Sequence, residues 1–312
     1  MIPTGKGMFI WRIERIGSPL SIATQAKAAG FSHVLVKIAD GVDYADYPLV
    51  TELVSQLHAV GIRVFGWQYV YLWDPAQEAY IAAMRCQITG CDGFVIDAEK
   101  ECKSKPTEAA IYCHELLDKL PTDYPIGLSS YRFPSYHPEL PWGIFRGICD
   151  FDMPQMYWEQ AHNPAEQLQK SYIEFQAMYP RLPYIPTGAA YPTSLWKPTT
   201  ADIQAFIAES DKLGLGGYNF WEWYSAQHDI PELWPIITGA QVEQPEGDRV
   251  RVSYPYGLNI RSAPLVVTGN IIGGAYYGSI WGVLGRVTDS LGRTWVQIGP
   301  SAYIAGWYTE EV

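Results

Sequence analysis

Asp92-Gly93-Phe94-Val95-Ile96-Asp97-Ala98-Glu99 is an apolar run that ends in acids. Phe94, Val95 and Ile96 mark a buried strand, and Gly90 and Gly93 punctuate its start. Side chains alternate along a strand, so Asp97 and Glu99 point to the same side, roughly 7 Å apart along the backbone. Two carboxyls on one face of a buried strand end are costly unless something uses or neutralises them. A structural strand end meets that cost with an Arg partner or by capping the next helix. A functional one puts the acids to work.

Outward from this strand, strand and helix patterns alternate up to about residue 240. Strands are predicted at 7–13, 33–38, 62–69, 92–97, 125–129, 150–156, 183–187 and 217–222, with helical patterns at 18–29, 47–59, 75–88, 106–119, 163–177 and 200–213. Ser18-Pro19, Asp74-Pro75 and Asn163-Pro164 are helix starts, and Gly30, Gly61 and Gly214 follow helix ends. Eight strands with intervening helices over this length match an α/β fold of the (β/α)8 TIM-barrel type. The fifth and eighth helices are weakly patterned, which leaves a doubly wound sheet as the alternative. Residues 239–248 read as a linker. Beyond it, 249–312 holds short β segments with Gly-rich turns, the pattern of a small all-β barrel. The expected domains are therefore 1–238 and 249–312.

Composition narrows the function. A net charge of −11 argues against nucleic acid, which needs a basic face, and against anionic lipid. No run reaches the ~18 apolar residues of a membrane span. The N-terminal residues show no secretory signal pattern. Five cysteines with no Cys-x-x-Cys pair read as free thiols rather than a disulfide framework or a zinc site. The 12 Trp, 22 Tyr and 10 Phe exceed what a core of this size demands, and such a surplus suits a cleft that stacks on sugar rings or bases.

In such a barrel the site forms at the C-terminal strand ends. Read in order these carry Trp11 and Glu14, Asp40, then Trp67, Gln68 and Tyr69, then Asp97 and Glu99. Ser129, Ser130 and Tyr131 follow, with Gln155, Tyr157 and Trp158, then Tyr191, and last Trp221, Glu222 and Trp223. Acids, amides and aromatics converge without a metal-ligand cluster, a phosphate loop or a Ser or Cys nucleophile signature. No metal or cofactor is called for. Two carboxyls among aromatics are what glycoside hydrolysis uses, one holding a proton and one ionised. Asp40 and Asp152 read as structural, and Asp92 as a turn cap.

The same stretch resembles the fourth-strand D-G-x-D-x-D-x-E signature of family 18 chitinases: Asp92, Gly93, Asp97 and Glu99 match, and Val95 stands where the signature has its middle Asp. The shorter Asp97-x-Glu99 is similar to the pair of family 25 lysozymes. Met156-Tyr157 and Phe220-Trp221-Glu222-Trp223 resemble later strand ends of these families. The first strand departs from family 25, having Gly7-Met8-Phe9-Ile10-Trp11 and no acid before Glu14. Leu258-Asn259-Ile260-Arg261-Ser262 and Gly306-Trp307-Tyr308 resemble the start and end of bacterial SH3 domains.

The resemblance implies a lysozyme-type peptidoglycan hydrolase acting at the bacterial cell wall, with a wall-binding SH3-like module. The alternatives are a chitinase-like enzyme and a glycan-binding barrel without catalysis. Glu99 would be the general acid, Asp97 would stay ionised, and Tyr157 would help to hold an N-acetyl group. Trp67, Tyr69, Gln155, Trp158, Trp221, Glu222 and Trp223 would bind substrate.

Overall fold

In the computed structural model, residues 1–45, 49–239, 249–299 and 301–312 are described. The expected linker, 239–248, lies almost wholly outside them. The chain divides into two compact units, Met1–Ala240 and Gln241–Val312.

The first unit begins with β1 (Gly5–Ile10), α1 (Pro19–Ala28), β2 (His33–Asp40), a short β3 (Asp43–Tyr44) and α2 (Leu49–Ala59). It continues with β4 (Arg63–Val70), α3 (Pro75–Thr89), β5 (Gly93–Ala98), α4 (Pro106–Lys119), β6 (Ile126–Tyr131) and α5 (Trp142–Arg146). It ends with β7 (Phe151–Met156), α6 (Pro164–Ala177), β8 (Thr187–Ala189), α7 (Thr200–Lys212), β9 (Gly217–Trp221), α8 (Trp223–His228) and α9 (Trp234–Thr238). Eight strands pair in parallel in the order β1, β2, β4, β5, β6, β7, β8, β9, and β9 pairs with β1 to close the sheet. Only β3 is antiparallel, against β2. This is a (β/α)8 barrel, not a doubly wound sheet. No helix among the described residues is long and apolar enough to cross a membrane.

The helix starts are as expected. Ser18 and Asp74 accept from backbone N–H groups of the first turns of α1 and α3, each with Pro at the start. β8, the seventh strand of the barrel, is displaced from its expected span of 183–187. Pro183 and Pro186 cannot donate to a ladder, so continuous pairing begins only at Thr187, with an isolated bridge at Tyr184.

Alternation in each strand divides the core in two. Phe9, Leu35, Phe65, Trp67, Val95, Phe151, Met153 and Ile185 pack inside the barrel, while Ile10, Val36, Phe94 and Ile96 face the helices. The interior is tight enough that a Cβ on Gly127 would lie 2.1 Å from the Phe151 ring. The filled interior is therefore a floor rather than a pore. Between sheet and helices, Arg146 of α5 donates to both carboxylate oxygens of the buried Asp152, at 2.8 and 2.9 Å. All five cysteines are buried free thiols.

The second unit is all antiparallel: β10 (Arg249–Val252), β11 (Leu258–Arg261), β12 (Ile271–Ala275), β13 (Ile280–Gly282), β14 (Gly285–Thr288), β15 (Thr294–Gly299), β16 (Ala302–Ala305) and β17 (Thr309–Glu311). They form a three-stranded sheet, β13-β10-β17, and a five-stranded sheet, β12-β11-β16-β15-β14. Val250, Val252, Ala275, Val296 and Ile304 form its core. Arg261, buried, reaches Asn270 at 2.7 Å and the Val267 carbonyl at 2.8 Å, tying the loop between β11 and β12. Short strands with intervening turns are what the sequence pattern of 249–312 leads one to expect.

Candidate active site

Above the aromatic floor, at the C-terminal strand ends, lies a cavity of about 360 Å³. Alternation on β5 aims Asp97 into it, with Glu99 just past the strand and Glu101 on the 3-10 turn Lys100–Cys102 that follows. Tyr69 and Tyr71 enter from the end of β4, Ser129 from β6, Gln155 and Tyr157 from β7, and Trp221 from β9. Trp11, Lys37, Asp40 and Trp67 complete the lining.

One amide organises the acids. Gln155 Nε2 donates to Asp97 Oδ1 at 3.0 Å and to Glu99 Oε1 at 2.8 Å. Asp97 is only 6% exposed. Burial pushes its proton affinity well above the carboxylate range, and the neighbouring Glu99 adds to that; Ser129, Lys37 and Gln155 work against it. Glu99 is also raised, first by burial and then by Glu101, opposed by Gln155 and Lys100. The pair thus favours holding a proton. One proton serves both acids: Asp97 is ionised whenever Glu99 carries it.

The remaining charges are tied down. Lys37 pairs with Asp40 at 2.7 Å, and Tyr71 donates to Asp40 at 3.0 Å. Tyr69 donates to Glu101 at 2.5 Å. The Tyr157 ring meets Tyr191 edge-on at 5.3 Å, and burial pushes its hydroxyl far above the usual phenol range. Tyr157 therefore stays protonated and able to donate.

From this cavity the aromatics climb outward. Tyr69 and Tyr71 have centroids 5.0 Å apart, Tyr71 and Trp73 4.4 Å, and Trp73 is 76% exposed. Glu78, fully buried, accepts from the backbone N–H groups of Tyr71, Leu72, Trp73 and Asp74. Leu72 sits in the left-handed region, at φ 55°. A buried carboxylate thus holds this strained loop in place.

Of the residues expected in the site, Asp97, Glu99, Tyr157, Trp67, Tyr69, Gln155 and Trp221 line the one cavity. Three do not. Trp158 is fully buried outside the barrel against Phe206 and Trp196, and Trp223 against Phe31 and Trp234. Both follow a strand end, where the chain has already turned outward into the helical layer. Glu222 caps α8, accepting from Tyr224 N and Ser225 N, so it serves the helix rather than the cavity. Ser130 likewise faces outward, donating to the Ala98 carbonyl.

Sequence reading missed Lys37, Tyr71 and Glu101 and read Asp40 as structural. Signals existed: a lone Lys within the apolar run His33–Ile38, and a third acid, Glu101, two residues beyond Glu99. Asp152, read as structural, is buried against Arg146.

No protein-family model matches the sequence, and no curated protein matches it. Solved structures share the fold. The Bacillus cereus spore cortex-lytic enzyme SleL covers 75% of this chain and 73% of its own, at 10% identity and a TM-score of 0.56. A chitinase from Chromobacterium violaceum covers 77% of this chain and 100% of its own, at 12% and 0.57. A glycoside hydrolase family 18 N-acetylglucosaminidase from Paenibacillus barengoltzii covers 76% and 99%, at 8% and 0.51. At these identities the shared property is the barrel.

Proposed function

We propose that this chain is a glycoside hydrolase acting on N-acetylated glycan strands of the bacterial cell wall. The observation that carries the reading is the buried Asp97–Glu99 pair bridged by Gln155 at the base of an aromatic cavity. Barrels of the same fold in SleL and in chitinases are consistent with it.

In this mechanism Glu99 enters protonated and gives its proton to the glycosidic oxygen as the bond to C1 breaks. The carbonyl oxygen of the substrate's own N-acetyl group attacks C1. Asp97 accepts from the acetamide N–H, and Tyr157 donates to the acetamide oxygen. Water then opens the cyclic intermediate, with the Glu99 carboxylate taking its proton. A substrate-assisted route of this kind needs no second carboxylate at nucleophile spacing. It also has no use for a first-strand acid. Trp67 and Trp221, with ring centroids 5.3 Å apart, form the sugar-facing wall.

The second unit serves as an SH3-like wall-binding module, which places the protein's action at the wall. The chitinase-like reading has one observation in its favour: an aromatic ramp from Tyr69 to the exposed Trp73 suits stacking on the sugar rings of an N-acetylglucosamine chain.

The test is release of reducing ends from purified peptidoglycan and from chitin oligomers by the wild type and by Glu99→Gln. The variant is expected to lose about 10²–10⁴-fold in rate while still binding. Undiminished release by the variant would remove Glu99 from the mechanism. Identification of the sugar at the new reducing end separates a lysozyme-type cut from a glucosaminidase-type one.

A further inference from the structure

Beyond β6 and β7, the segments 131–137 and 157–160 enclose a second cavity of about 380 Å³. It shares Gln155 and Tyr157 with the first, so the two adjoin at those side chains. Their volumes lie in the range of small-ligand sites. Tyr131, Phe133, Tyr136 and Tyr157 make its apolar walls.

Arg132 is the unusual group in that lining. Its guanidinium is half-buried, and among the described residues no oxygen accepts a hydrogen bond from it and no carboxylate lies within 4 Å; Glu159, Tyr191 and Tyr136 act on it only through longer-range electrostatics. Its recorded contact is the Phe133 ring, 5.2 Å away. Buried arginines elsewhere are engaged: Arg146 with Asp152, Arg261 with Asn270, and Arg85 with the carbonyls of Ile38 and Ala45.

The acid of this cavity, Glu159, is occupied by the Tyr191 hydroxyl. His137 stacks on Tyr131 at 3.6 Å and faces Lys103 Nζ, 3.0 Å from its Nδ1. Burial and Lys103 hold His137 below its usual range, so it carries no competing charge at neutral pH. A guanidinium half out of water with no hydrogen-bonded oxygen recovers only part of its lost hydration, through the more distant Glu159. A planar acid is the ligand its fork matches.

We infer that this cavity is a subsite for a carboxylate-bearing sugar, neighbouring the sugar held at Asp97 and Glu99, with Arg132 receiving the carboxylate. The inference rests on the glycan-hydrolase reading and adds a substrate class to it. Because β5 stands between β4 and β6 in the barrel, the aromatic ramp lies on one side of the acid pair and the cavity with Arg132 on the other. A strand with alternating neutral and acidic sugars is the polymer that satisfies both.

The test is calorimetric binding to the full chain carrying Glu99→Gln, which prevents turnover. The probes are an N-acetylglucosamine tetramer, a peptide-free glycan tetramer containing N-acetylmuramic acid, the same tetramer with its carboxyls converted to methylamides, and a peptide-bearing strand. The acidic tetramer is expected to bind about 10-fold more tightly than its methylamide, the scale of a charge-assisted pair. Adding Arg132→Gln is expected to reduce that ratio to about 2-fold or less, and Arg132→Lys to leave it intermediate.

Equal binding of acid and methylamide by the Arg132 protein overturns the inference without recourse to any variant at that position. So does a preference that survives Arg132→Gln. A preference confined to peptide-bearing strands places the carboxylate on the peptide and overturns the sugar assignment. If the wild type releases no reducing ends, the hydrolase reading fails, and the binding ratio still decides the subsite.

Discussion

Asp97 is buried beside a second carboxyl, and the cost falls on its charged form. Its folded-state proton affinity is therefore raised above that of the unfolded chain. Stability from this residue is fully present below the unfolded carboxyl pKa and is lost as pH rises through the folded value. Asp97→Asn is accordingly expected to stabilise the protein at pH 8, by on the order of 1–2 kcal/mol, and by less at pH 4.5. Urea denaturation at the two pH values measures this, and equal gains at both would contradict it. The same electrostatics governs Glu99, which Glu101 helps to raise. Glu101→Gln removes that negative charge, so the alkaline limb of the pH–rate profile should move to lower pH. A limb that stays in place, or moves up, would show that another group sets it. Sequence alternation already placed 97 and 99 on one face, while Glu101 was not read from it. The role of Gln155 was not legible, because its amide meets the two acids only when β7 and β5 are brought round the same barrel.

At the scale of elements, the loop between β4 and α3 carries the exposed Trp73, and one buried side chain holds it. Glu78 lies on α3, and its carboxylate collects four loop N–H groups that would otherwise be unsatisfied. Glu78→Ala is expected to cost about 3 kcal/mol in stability, since several charge-assisted bonds are lost and the Leu72 donor stays buried. If Trp73 is a sugar platform, the same change should also raise KM more than it lowers kcat, because the ramp is no longer preorganised. Stability curves and steady-state kinetics on glycan oligomers read both effects. A variant with unaltered midpoint would show that the loop holds itself. Helix caps and strand spans were legible because they depend on local residues such as Ser18, Asp74 and the apolar run Phe94–Ile96. The fate of Trp158 and Trp223 was not: each stands one or two residues past a strand end, where the turn into the next segment decides inside from outside.

At the scale of the molecule, the closed barrel has its own floor and its own helical layer, and the second unit has its own small core. Each can satisfy its own folding requirements. If the second unit tethers the first to its polymer, deleting 240–312 should leave cleavage of soluble oligomers intact and reduce cleavage of intact walls about 10²-fold or more, an effective-concentration effect. Equal loss on both substrates would point instead to a barrel that depends on the second unit.

By itself, the sequence determined the strand–helix alternation, the aromatic surplus, the change of pattern near residue 240 and the acid pair Asp97 and Glu99. All follow from short-range periodicity, which the backbone imposes wherever the chain lies. Only the tertiary structure decided which aromatics reach the cavity, that Gln155 joins the two acids, and that Arg132 is left without a hydrogen-bonded oxygen among the described residues. Those depend on which strand ends meet when the sheet closes, and closure is a property of eight strands together rather than of any one segment.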